Sequence, residues 1–190
     1  MTEKKIGDWI KRGTRVVFEN DFFTVNEDDV VEPDGRDGKY ATIDLKPGVA
    51  VLPIDDDGRI HLTRQFRYAL ERDNIEAIAG SIDGNETSLD AAHREAKEEL
   101  GIEADELVSL GRIEVMTAIC RSSTELFIAR GLHFGEPESE STEDIRRITM
   151  PLEKAVEMVL SGEITHADTC ALILKASVRQ KGQRPSGAAA

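Results

Sequence analysis

Glu95, Glu98 and Glu99 stand at i, i+3 and i+4 in the segment from Ser88 to Leu100, where Leu89, Ala92, Ala96 and Leu100 recur with a helical period. A helix would set the three carboxylates on one face, about 5–6 Å apart, and leave them repelling one another unless a positive charge lies between them. Lys97 would point elsewhere, and Arg94 is their neighbour in sequence but a single cation. A hard, oxygen-seeking divalent cation such as Mg2+ or Mn2+, held about 2.1 Å from carboxylate oxygens, answers that demand. Such a face suits chemistry on phosphate anhydrides, which need charge neutralisation, an activated water and in-line geometry.

Alone, Arg94 to Leu100 is an ordinary helix former with an acidic face. The wider segment is more specific. Gly80, Glu86, Arg94, Glu95, Glu98, Glu99 and Gly101 fit the pattern G-x5-E-x7-R-E-x-x-E-E-x-G, with Ile102 following. Agreement at all these positions by chance is on the order of one in a million. The segment from Gly80 to Ile102 resembles the Nudix box of the Nudix hydrolases, with Ala96 where a larger aliphatic residue is usual. The resemblance implies Glu95 and Glu99 as metal ligands and Glu98 as a further ligand or water-positioning carboxylate. It also implies that Arg94 orients the glutamates by ion pairing, that Glu86 braces the loop, and that the Ala79 carbonyl completes one metal shell. Gly80 and Gly101 become loop positions where a Cβ would be costly.

In this family the general base often lies outside the box. The acidic loop after it runs from Gly135 to Ile145 and carries Glu138, Glu140, Glu143 and Asp144. Its Glu-Asp-Ile ending resembles the ADP-ribose pyrophosphatase branch, in which the glutamate matching Glu143 contacts metal and the base lies about two residues earlier. That earlier position is Ser141 here, which leaves Glu140 as the first choice of base, with Glu138 and Glu143 behind it.

Three further features are similar to the same branch. The residues before Leu45 resemble the N-terminal domain of nucleotide-sugar pyrophosphatases, an element exchanged within a homodimer. Arg64 to Tyr68 resembles a Gln-x-Arg-Tyr strand whose arginine reaches substrate phosphates, which implies Arg67, with Gln65, as substrate-binding. Gly162 to Thr169 resembles the Gly-x-Ile-x-x-Ala-x-Thr element between the last helices. A proline usual some sixteen residues past the box is absent from Met116 to Arg121. The expected activity is therefore Mg2+-dependent cleavage of ADP-ribose or a related nucleoside-diphosphate sugar into a nucleoside monophosphate and a sugar phosphate. The alternatives are another NDP-sugar or dinucleotide substrate, such as GDP-mannose, UDP-glucose or NADH, or a catalytically silent nucleotide-sugar sensor.

The elements that must position these groups follow from patterning. β-branched and aromatic runs at Thr14 to Glu19, Phe22 to Asn26 and Lys39 to Leu45 predict a small antiparallel sheet. Val49 to Ile54 and Ile60 to Arg67, joined by Asp55-Asp56-Asp57-Gly58, predict a hairpin that starts a second sheet. Strands are expected at Leu107 to Ile119, Thr124 to Ala129 and Ile145 to Met150. Helices are expected from Ser88 to Leu100, from Pro151 through Leu160, and from about His166 to Val178. His133, His166 and Trp9 read as structural. The fold class is α+β, and the resemblance makes it a Nudix fold, a mixed sheet sandwiched between helices with an N-terminal antiparallel β extension. The expected division is 1–45 for that extension, 46–180 for the Nudix domain and 181–190 for a disordered tail.

The whole chain has 190 residues and a net charge of −13. No dense Lys/Arg patch suits a nucleic-acid partner, and no apolar run approaches the roughly 20 residues of a membrane span. Without a signal-like apolar start, and with Cys120 and Cys170 forming no ligand pair, a cytoplasmic protein with free thiols is expected.

Overall fold

The computed structural model describes residues 3–138 and 145–183, and the chain divides into two compact units. The first runs to Pro47 and takes in Glu114–Ser123. Its sheet has the order β1 (Lys4–Ile6), β2 (Trp9–Glu19), β3 (Phe23–Val31), β4 (Asp37–Leu45) and β10 (Cys120–Arg121). The first four are antiparallel, and β10 lies parallel to β4 with Cys120 opposite Ile43. Sheet pairing begins earlier than hydrophobic alternation predicts. Lys4, Lys5, Lys11 and Arg12 give no apolar signal, yet Ile6 pairs with Trp9 across a turn in which Gly7 takes φ +59°. Charge replaces apolar contact on this sheet: Lys39 bonds Glu27 at 2.6 Å and Asp29 at 3.1 Å, and Arg121 bonds Asp44 at 3.1 Å. Trp9 packs edge-on against Tyr40 with ring centroids 5.4 Å apart.

The second unit comprises Gly48–Ile113 and the chain from Thr124 onward. Its mixed sheet has the order β8 (Ile78–Ser81), β5 (Gly48–Pro53), β11 (Thr124–Phe134) and β9 (Ile102–Ile113). A second, antiparallel sheet has the order β12 (Arg146–Pro151), β6 (Arg59–Arg67) and β7 (Arg72–Glu76). Strand alternation buries both faces of the mixed sheet. Val49, Val51, Phe127 and Ala129 pack with Ala91, Ala92, Ala96 and Leu100 of α1 (Ser88–Leu100). Ala50, Leu52, Leu126 and Ile128 pack with Leu152 and Ala155 of α2 (Leu152–Ser161) and with Leu172 and Ile173 of α3 (Ala167–Gln183). Each of the larger side chains among them contributes about 1.5–3 kcal/mol on burial, and the first group seats α1 on one side of the sheet.

The boundaries differ from expectation where local pattern is weak. β9 starts directly after Gly101 and ends at Ile113, because the residues beyond it belong to the first unit. β11 continues to Phe134, and β7 and β8 carry no clear alternation in sequence. Pro151 caps α2 rather than opening its first turn, and α3 runs on through Lys181 to Gln183, into the segment expected to be a tail. Among the described residues no helix is long and apolar enough to cross a membrane.

His61 on β6 links the turn before its own strand to the neighbouring strand β12. Its Nε2 lies 3.1 Å from Asp55 Oδ2, its Nδ1 lies 3.1 Å from Thr149 Oγ1, and its ring packs on Phe134. Burial holds its pKa below the ordinary value, against the pull of Asp55 and aided by Arg147 and Arg59. The neutral ring is therefore the folded form, and its stabilising contribution is present above about pH 6.5 and is lost as pH falls toward the lowered folded value. Thermal melts of the wild type and His61→Gln should show a gap at pH 7.5 that narrows at pH 5.5. A gap that widens on acidification would contradict this assignment.

Candidate active site

α1 is built to end and begin where it does. Thr87 caps its N-terminus: its hydroxyl accepts from the Asp90 N–H at 3.1 Å, while Asp90 Oδ2 accepts from the Thr87 N–H at 3.2 Å. Gly101, at φ +61°, closes the C-terminus, with its N–H donating to the Lys97 carbonyl at 2.9 Å. With the apolar stripe held on the sheet, Glu95, Glu98 and Glu99 are left facing the β8 side and solvent.

Arg94 gathers most of this group. Its Nη1 donates to Glu95 Oε1 at 2.7 Å and to Glu98 Oε2 at 2.9 Å, so two carboxylates converge on one nitrogen. Its Nε and Nη2 donate to Glu86 at 2.8 and 3.0 Å, and Nη2 also donates to the Ser81 carbonyl at 2.9 Å. One arginine therefore serves three carboxylates, Glu86, Glu95 and Glu98. Glu86, paired to Arg94 and accepting from the Asp83 N–H, is held below the usual carboxylate range. Arg94 is held protonated even more firmly than usual, by Glu86 first and then, against burial, by Glu95 and Glu98.

The β8 backbone supplies the other wall. Glu99 Oε1 accepts from the Ala79 N–H at 3.3 Å. Glu95 lies so close to Gly80 that a Cβ there would fall 1.8 Å from its Oε1. A side chain at Gly80 would displace the Glu95 carboxylate, whereas Gly101 is required by both its positive φ and its neighbours: a Cβ would meet the Gly135 carbonyl oxygen at 2.4 Å. The Gly135 N–H donates to the Gly101 carbonyl at 2.7 Å, Lys97 pairs with Glu138 at 2.9 Å, and Arg147 donates to the Leu100 carbonyl. Both ends of the acidic loop are therefore anchored at the C-terminal end of α1. Glu140 and Glu143, together with Ser141 and Asp144, lie outside the described residues.

Among the described residues, no three carboxylate, histidine or thiol side chains already surround a single point as a metal cage. The donor set nonetheless suits a hard divalent cation. It consists of oxygen atoms from Glu95, Glu98 and Glu99 drawn together over a backbone that Gly80 keeps bare.

Arg67, at the end of β6, forms a bidentate pair with Glu76 at 3.0 and 2.6 Å, and Gln65 lies opposite Asn74 in the same sheet. Sequence reasoning passed over Glu76. Its signal was a lone acid in the apolar run Ile75-Glu76-Ala77-Ile78-Ala79, where a strand expected to be buried must pair its charge. His166 stands beside Thr169 at 2.9 Å, and exposed His133 beside Asp105 at 2.9 Å.

Comparison with known proteins fits this geometry. A NUDIX domain model matches residues 44–170, and the nucleoside diphosphate sugar hydrolase N-terminal domain matches residues 9–43. The chain is 30% identical over 155 residues to the ADP-ribose pyrophosphatase of Bacillus subtilis, covering 80% of this chain and 84% of that one. It is 29% identical over 162 residues to the CMP-5'-(N-acetyl-N-hydroxy-3-aminopropyl)phosphonate hydrolase of Streptomyces rubellomurinus, covering 85% and 78%. A crystal structure of an ADP compounds hydrolase superposes with a TM-score of 0.82 at 22% identity, covering 95% of this chain and 98% of that one. Carboxylates gathered on one helix face, over a glycine-bared strand, in a chain matched by both domain models: this protein belongs to the Nudix family and is a Nudix hydrolase with the N-terminal domain of the nucleoside diphosphate sugar hydrolases.

Proposed function

We propose that the protein hydrolyses the diphosphate bond of ADP-ribose or a related nucleoside-diphosphate sugar, using Mg2+, or Mn2+ in its place, to give a nucleoside monophosphate and a sugar phosphate. The convergence of Glu95, Glu98 and Glu99 around Arg94 and β8 carries this reading. Nudix hydrolases generally use divalent metal ions, and the ADP-ribose pyrophosphatase of Bacillus subtilis is among the relatives of this chain. When bound, the cation neutralises phosphate oxygens and acidifies the attacking water.

The residues then divide the work. Glu95 and Glu99 hold the cation, with Glu98, the Ala79 carbonyl and Glu143 as further ligands, and Glu98 also orients water. Arg94 keeps the glutamates aligned, and Glu86 keeps Arg94 in place. Arg67, with Gln65, binds the diphosphate as a planar, permanently charged donor. The proton of the attacking water passes to a carboxylate of the acidic loop, Glu140 before Glu138 or Glu143. Single Glu→Gln changes at these three positions should leave one variant slower by about 10²-fold or more. Three near-wild-type kcat values would remove the loop from catalysis.

The Streptomyces relative is named for a CMP-phosphonate, so breadth across nucleotide substrates is the second reading. ADP-ribose, GDP-mannose, UDP-glucose, NADH and dinucleoside polyphosphates, assayed with Mg2+ or Mn2+, separate the two. Turnover concentrated on ADP-ribose supports the first reading. Tight binding without turnover of any of them would identify a sensor instead.

A cytoplasmic homodimer belongs to the same reading. Val16, Val17, Phe18 and Phe22 are 44–77% exposed along β2 and the turn after it, an apolar surface that suits a second copy, and both cysteines are free. A monomer in light scattering would remove the dimer.

A further inference from the structure

Glu76 is a carboxylate that no step above uses, yet it is 4% exposed. Burying a charge is costly, and a buried ion pair is commonly no more stabilising than apolar side chains of the same volume. Stability alone is therefore a weak reason for its presence. Its surroundings give a better one. Oε1 accepts from Arg67 Nε at 3.0 Å and from Asn74 Nδ2 at 2.9 Å, and Oε2 accepts from Arg67 Nη2 at 2.6 Å.

Strand register makes this pairing unexpected. Arg67 lies opposite Arg72, and Glu76 lies opposite Thr63, so the Arg67 side chain leans back along the sheet to reach its partner. It is thereby brought to the segment from Glu76 to Gly80, which also receives Glu99 at the Ala79 N–H and Glu95 against Gly80. A guanidinium is planar, and fixing its Nε/Nη2 edge fixes the direction of its remaining N–H bonds.

The segment itself is tied down. The Thr169 hydroxyl, on α3, accepts from the Ala77 N–H at 2.8 Å and lies 2.9 Å from His166 Nδ1. His166 Nδ1 also lies 3.9 Å from Glu76 Oε2. Thr165 Oγ1 lies 3.4 Å from Asn74 Oδ1 and accepts from Arg72 at 3.0 Å. Arg67, Asn74 and His166 together keep Glu76 ionised despite its burial.

We propose that Glu76 is a positioning residue that fixes the Arg67 guanidinium relative to the carboxylates of α1, so that phosphate is bound where the cation site can act on it. The inference rests on the reading of Arg67 as a phosphate ligand. It gives Glu76 an effect that passes through Arg67 and appears in substrate affinity.

Arg67→Ala, Glu76→Asp, Glu76→Gln and the Arg67→Ala/Glu76→Gln double variant are to be compared with the full-length wild type on a substrate that the panel shows to be hydrolysed. Glu76→Asp keeps the charge and withdraws it by one methylene, so it separates positioning from folding. Its KM should rise about tenfold with kcat within about threefold and an unchanged melting temperature, and the double variant should be no worse in kcat/KM than Arg67→Ala. A raised KM in Arg67→Ala with wild-type KM in both Glu76 variants overturns the inference alone. An unchanged KM in Arg67→Ala overturns the reading of Arg67 and the inference with it.

A readout without turnover keeps the inference testable even if no nucleotide is hydrolysed, a result that would sink only the proposed function. Titrating inorganic pyrophosphate into 15N-labelled wild type should shift the Arg67 Nε–H resonance, and Glu76→Gln should lose most of that shift. An equal shift in both proteins would overturn the positioning role.

Discussion

Glu99→Gln should lower kcat by at least about 10²-fold, equivalent to about 3 kcal/mol of transition-state stabilisation, while leaving the fold intact. Glutamine keeps the shape of the side chain and an oxygen able to accept from the Ala79 N–H, the bond made at 3.3 Å by Glu99 Oε1. What it removes is the charge. Glu95 and Glu99 are like charges one turn apart on the same helix face, and removing one of them relieves that repulsion in the metal-free protein. The metal-free variant should therefore melt at the same temperature as the wild type or slightly above it, and Mg2+ should raise its melting temperature less than it raises that of the wild type. A metal-free variant that melts lower would show that the Glu99 charge is needed for the fold, and near-wild-type kcat would remove Glu99 from the metal site.

The parts of this site written into consecutive residues were the parts legible in the sequence. The period of Leu89, Ala92, Ala96 and Leu100, with Gly101 behind it, located α1 to the residue. Asp55 to Gly58 likewise announced a turn. The contacts that shape the site join residues far apart in sequence, and no local period encodes them. Arg94 reaches back to Glu86 and Ser81, and Arg67 reaches along the sheet to Glu76. The residues from Glu114 to Ile119 looked like the continuation of a strand from Leu107, because Val115 and Ile119 are apolar. They instead join the first unit, where the Ile43 N–H donates to the Ile119 carbonyl at 2.8 Å. Val115 and Ile119 stay 53% and 41% exposed there, so their apolar character marked no buried strand.

Gly101→Ala should be among the most destabilising single-methyl additions in the chain, and Gly162→Ala provides its control. Both glycines end helices with positive φ, +61° and +80°. An L-residue in that region costs about 1 kcal/mol relative to glycine, so the two variants share that loss. They differ in what the methyl meets. Nothing lies within 4 Å of a Cβ at Gly162, whereas at Gly101 it would fall 2.4 Å from the Gly135 carbonyl oxygen and 2.8 Å from the Glu136 carbonyl carbon. Those are backbone atoms, held by the Gly135 N–H bond to the Gly101 carbonyl at 2.7 Å, and they cannot rotate away as a side chain could. Relief requires the chain at 135–138 to move off the end of α1, which loosens one stem of the acidic loop and strains the Lys97–Glu138 pair. Gly101→Ala should thus lose about 2–4 kcal/mol in urea unfolding, against about 1 kcal/mol for Gly162→Ala. Its residual folded population should also turn over more slowly, because the stem it displaces leads to the carboxylates proposed to take the proton. Equal losses in the two variants would mean that the backbone contact at Gly135 yields freely, and that the end of α1 does not hold the loop.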